Sequence, residues 1–99
     1  MTSRAIDQAH RFVVSEAVVA RELDGEMVLL DLDSGTYFGL DRVGTRMWQI
    51  LVDGASADDI VDRLFAEYDV PRETLQHDVL RLLEQLRAKG LVMPADGPR

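Results

Sequence analysis

The chain has 99 residues, enough for one domain that hides a little over ~60% of its unfolded surface and too few for a second. With no cysteine it has no disulfide, no thiolate nucleophile and no cysteine-ligated metal. A formal net charge of −7 opposes the phosphate neutralisation that drives nucleic-acid binding and favours a neutral or basic partner.

The first eleven residues, MTSRAIDQAHR, show no hydrophobic period, so a flexible arm over 1–11 is expected. Met1 to His10 also lacks the charged-then-apolar build of a signal segment, and no apolar run nears the ~18 residues of a membrane span. A cytoplasmic protein follows as the expectation. From Ala17 to Leu40, AVVARELDGEMVLLDLDSGTYFGL reads as three strands of β-branched and aliphatic residues. Asp24-Gly25 suits a type I′ hairpin, and Gly35 the left-handed position of a longer turn. In the middle strand Val28, Leu30 and Leu32 share one face, and Met27, Leu29 and Asp31 the other.

After Leu40 the hydrophobic period changes from two to 3.6. Asp41 caps a first helix whose apolar stripe is Val43, Met47, Ile50 and Leu51, with Trp48 beside it as a core residue, and Gly54 ends it. Ser56 caps a second, with Asp59 in the capping-box position and Ile60, Val61, Leu64, Phe65 and Tyr68 along one face. Pro71 opens a third, Gly90 closes it, and Arg87 and Lys89 complement the negative end of its dipole. Leu75, Val79, Leu82 and Leu86 form its stripe, widened by Leu80 and Leu83. That is more apolar surface than packing on one side requires, so part of it can line a groove. Leu91 to Met93 reads as a short extended segment, and PADGPR, 94–99, as a flexible tail, leaving the domain at 12–93. Strands followed by helices make an α+β fold.

Catalytic candidates are few. His77-Asp78 is the one adjacent acid–base pair, and it lacks a third partner; His10 stands apart. Asp31 and Asp33 flank a turn, where carboxylates serve backbone N–H groups, and Asp58, Asp59 and Asp62 stand at a helix start, where they offset the dipole. GLDRVG has neither the glycine spacing nor the lysine of a phosphate loop. No metal, cofactor or catalytic residue is assigned. The strong feature is an edge. With hairpins joining the strands in order, Thr36 to Leu40 borders the sheet without a lysine or proline to blunt it, next to an apolar helix. Such an edge accepts an extended peptide, unless Phe12 to Ser15 of the same chain covers it.

Three blocks in order, VLLDLDSGTYFGLDRVGTRMWQIL, DGASADDIVDRLFAEYDV and DVLRLLEQLRAKGLV, resemble the PqqD family of small peptide-binding proteins across about Ala17 to Met93. The run from Gly35 to Trp48 is most similar to free-standing members from lasso-peptide clusters, with Asp41 where that subgroup usually has Asn, a substitution between two good helix caps. The resemblance implies a winged helix-turn-helix-like fold, a three-stranded antiparallel sheet followed by three helices. It also implies a non-catalytic RiPP recognition element that binds the leader of a ribosomally made precursor as an added strand. Carried over by position, Thr36, Tyr37, Phe38 and Gly39 supply the pairing edge, Val79, Leu82, Leu83 and Leu86 the apolar wall, and Asp78 a hydrogen-bond acceptor or a partner for a basic residue. The implied partners are the precursor leader, a leader peptidase of cysteine-protease type and a cyclase, and the implied affinity is about micromolar or tighter. The competing reading is a winged-helix DNA-binding regulator. It is opposed by Glu73, Asp78 and Glu84, which share the third helix with Arg72, Arg81 and Arg87.

Overall fold

Two consecutive residues with positive φ, Asp24 at 56° and Gly25 at 83°, fold the chain back between β2 (Val18–Leu23) and β3 (Glu26–Asp31). This is the backbone a type I′ hairpin demands. In a computed structural model that describes residues 11–95, a second turn then leads into β4 (Tyr37–Leu40). The buried Asp31 holds that turn: its carboxylate accepts from the Asp33 N–H and the Ser34 hydroxyl, each at 3.0 Å, while Gly35 takes φ 76°. The three strands form an antiparallel sheet in the order β2-β3-β4, the sheet expected from the sequence.

Met27, Leu29 and Asp31 point from β3 into the protein, and their register partners Leu40 and Phe38 share that face. Val28, Leu32 and Tyr37 face outward and are exposed. The side left open by the sequence is therefore settled: the odd-numbered residues of β3 belong to the core.

Two further strands lie outside this sheet. β1 (Phe12–Val14) pairs antiparallel with β5 (Val92–Pro94), joining the two ends of the domain. Phe12 to Ser15 thus does not cover β4; Phe12 is buried, and the Ser15 N–H donates to the Leu91 carbonyl at 3.0 Å. Arg11 and Pro94, assigned from the sequence to the arm and the tail, are both engaged. Arg11 bridges Ser56 and donates from Nη1 to the Gly54 carbonyl at 2.6 Å, and Pro94 closes β5 opposite Phe12. The rest of the expected arm, 1–10 with His10, and the tail beyond Ala95 lie outside the described residues.

The helices are α1 (Arg42–Val52), α2 (Ala57–Glu67) and α3 (Arg72–Ala88). Asp41 caps α1 by accepting from the Gly44 N–H at 2.8 Å. Ser56 and Asp59 form the reciprocal capping box of α2, at 3.1 and 3.2 Å. Pro71 stands just before α3, and Gly90, at φ 74°, lets the chain leave it. Arg46 grips Glu67 with Nε and Nη2, at 2.9 and 2.6 Å, tying α1 to the end of α2. Met47, Trp48, Ile50 and Leu51 of α1, Ile60, Val61 and Leu64 of α2, and Leu75, Val79, Leu83 and Leu86 of α3 make the core with Leu29, Leu40 and Phe12. Phe65, expected on the buried face of α2, is instead exposed, with the Arg72 guanidinium 5.6 Å from its ring centroid. Among the described residues no helix is long and apolar enough to cross a membrane.

Candidate functional site

β4 has one paired side and one free side. The Asp31 N–H donates to the Thr36 carbonyl at 2.8 Å, which makes Asp31 and Thr36 a hydrogen-bonded pair of the ladder. Pairs alternate in an antiparallel ladder. In this register Phe38 and Leu40 therefore turn their backbone groups toward Leu29 and Met27, and Tyr37 and Gly39 turn theirs away from the sheet. Within the described residues nothing pairs with that outer side. The side chains alternate as well: Phe38 and Leu40 lean inward, Tyr37 is 71% exposed and Gly39 has none. A Cβ at Gly39 would meet nothing within 4 Å, so the approach to the free backbone is open there.

Beside the edge lies a groove of about 390 Å³ between β4, the start of α1 and one face of α3. From β4 come Phe38, Gly39 and Leu40; from α1 and its cap come Asp41, Val43, Gly44 and Met47. Its other wall is Asp78, Arg81, Leu82 and Gln85, spaced as one face of α3. The floor is apolar and the helix rim is polar, which suits a peptide whose buried side chains are apolar and whose backbone is paired at β4.

Of the expected site residues, Phe38, Gly39, Asp78 and Leu82 come together in this groove. Thr36 and Tyr37 belong to the same edge but not to the groove lining, and the Thr36 N–H is already directed to the Ser34 hydroxyl at 3.2 Å. Val79, Leu83 and Leu86 do not form its wall. They are 1%, 1% and 0% exposed and pack on Met47, Trp48, Leu51 and Ile60. The reason is that α2 and β5 pack on α3 and side chains of α1 meet it, so its most apolar stripe is consumed by the core. The wall is the neighbouring, more polar face. Its signal was present in the i, i+3, i+4, i+7 spacing of Asp78, Arg81, Leu82 and Gln85, masked by the stronger leucine stripe. Val43 and Met47 were recognised as apolar helix positions, yet nothing in one sequence says that α1 turns them toward β4.

Other sites do not assemble. Among the described residues no three potential ligands cluster for a metal ion, and His77 and Asp78 are both exposed on α3. Arg72 and Arg87 of α3 are held by Asp62 and Glu84, and Arg81 stands beside Asp78, so the helix lacks the run of basic residues that DNA recognition needs.

Comparison with protein families matches residues 26–92 to PqqD, described as Coenzyme PQQ synthesis protein D. No curated protein matches the chain. Two solved structures are similar. One, TbiB1 in complex with the TbiA(beta) leader peptide, is 44% identical with a TM-score of 0.79, covering 86% of this chain and 99% of that one. The other, lasso peptide synthetase B1 complexed with the leader peptide, is 32% identical with a TM-score of 0.77, covering 85% of this chain and 99% of that one. Neither the geometry nor these similarities support the DNA-binding reading.

Proposed function

Because the chain belongs to the PqqD family, we propose that it binds the leader segment of a ribosomally synthesised precursor peptide, of the lasso class, as a strand added to β4. The observation that carries this reading is the unpaired outer side of β4 running along a groove closed by α3. Tyr37 and Gly39 each offer an N–H and a C=O, and four such bonds contribute on the order of 2–6 kcal/mol. Inward side chains of the added strand reach Leu40, Val43, Met47 and Leu82, where each buried aliphatic or aromatic group adds roughly 1.5–3 kcal/mol. Against the cost of ordering a flexible leader, this supports an affinity around micromolar or tighter.

In this reading the chain works in the cytoplasm without catalysis, and its role is to present the precursor to separate enzymes, a leader peptidase of the cysteine-protease type and a cyclase. The outer face of the sheet supports such a handover. Val19, Val28, Leu32 and Tyr37 are exposed and apolar there, and the face continues into the strand that carries the leader.

Calorimetry with the TbiA(beta) leader peptide and with a scrambled peptide of the same composition tests the binding step. The expected result is a one-to-one complex with the leader and binding at least tenfold weaker, about 1.4 kcal/mol, for the scramble. Equal binding of the two would overturn the reading.

A further inference from the structure

The groove carries charges that the apolar anchors do not use. On α3 the residues facing it are Asp78, Arg81, Leu82 and Gln85, and the same face continues one turn further to Lys89, the C-cap residue. Lys89 leans to the groove side, with Nζ 5.9 Å from the centroid of the Phe38 ring. Arg72 and Arg87, the other arginines of the helix, are occupied by Asp62 and Glu84. Among the described residues Arg81 meets no carboxylate within salt-bridge distance, not even Asp78 one turn before it. Of the two acids at the groove, Asp41 is engaged by the Gly44 N–H at 2.8 Å.

A chain of net charge −7 attracts basic peptides through its overall field. This wall reverses that preference locally, because a guanidinium with no carboxylate partner among the described residues opens onto the space where an added strand would lie, and a second cation flanks it. A planar fork of N–H donors is matched by a carboxylate, which it grips with two parallel bonds. Resting on the proposed leader binding, we infer that Arg81, with Lys89 beside it, selects an acidic side chain on the inward face of the peptide strand held at β4. The apolar floor fixes the register of the strand, and the cation decides which leaders fit it.

The test is a display library of the TbiA(beta) leader peptide, saturated one position at a time and selected on the parent protein and on Arg81→Glu, Lys89→Glu and Arg81→Gln. The parent should enrich Asp or Glu at one position or more. Arg81→Glu should swing the ratio of acidic to basic peptides at such a position by about tenfold toward Lys and Arg, leaving the apolar positions unchanged, and Lys89→Glu should do so more weakly. Arg81→Gln should lose the preference without reversing it, and it carries the test if circular dichroism shows Arg81→Glu unfolded. An unchanged profile for the folded variants overturns this inference alone. Failure of the parent to enrich any peptide overturns the leader-binding reading and this inference together.

Discussion

Leu82 and Leu83 are neighbours on α3 with opposite fates. Leu83 is 1% exposed against Trp48 and Ile60, whereas Leu82 is half-buried on the groove. A carboxylate at Leu83 would lie in the core without a partner, at a cost of several kcal/mol against a total stability of about 5–15. Leu83→Asp should therefore be unfolded by circular dichroism. Leu82→Asp should keep its spectrum, because the new carboxylate can reach water, and should lose roughly 10- to 100-fold in leader affinity as one apolar contact becomes a desolvated charge. A folded Leu83→Asp variant, or a Leu82→Asp variant that binds as the parent does, would show that the wall of the groove is wrongly assigned.

At the scale of one strand the backbone decides. Proline removes an N–H, and it is tolerated only where that N–H is not part of the ladder. The register gives an alternating expectation: Phe38→Pro should lose stability because its N–H serves β3, and Gly39→Pro and Tyr37→Pro should stay folded but lose leader binding. Circular dichroism beside calorimetry on the same variants checks it, and a flat profile of folded binders would remove strand addition from the account. The start of α2 makes a separate element. Ser56→Ala should cost about 1 kcal/mol through the lost cap. Bonds from the Ser56 backbone and side chain hold the pKa of Asp59 below its usual range, and the Arg46 pair does the same for Glu67. Their contribution is complete above the ordinary carboxylate pKa near ~4 and drains away as pH falls through the depressed values. Melting followed below pH ~4 should fall less steeply for Asp59→Asn. Such elements were legible in the sequence because their signals are local: Asp24-Gly25, Asp41, and Ser56 with Asp59 each act within four residues. The groove wall was not, since its position depends on which face of α3 the core takes. That contest is fixed by α1, α2 and β5 together, and a leucine count along one helix cannot resolve it.

At the scale of the whole domain, the first and last strands of the described residues close the fold by pairing with each other. Phe12 is 3% exposed and belongs to the same core as Leu29 and Trp48, and β1 is held there by pairing with β5 and packing on α1. The sequence offered one role for Phe12 to Ser15, a cover for β4, and the core position of Phe12 differs from it in what a single substitution does. If the segment covered β4, Phe12→Ala would free the edge, raise leader affinity and leave melting nearly unchanged. As a core residue Phe12 instead leaves a cavity when truncated, at a cost of about 3–5 kcal/mol. In a domain of this size each kcal/mol shifts the melting temperature by roughly 4–8 °C, so a fall of more than about 10 °C is expected. Affinity measured well below the new melting temperature should remain that of the parent, because Phe12 is not among the residues that line the groove. Differential scanning calorimetry paired with leader titration separates the cases, and tighter binding without loss of stability would mean that β1 competes with the peptide for its strand.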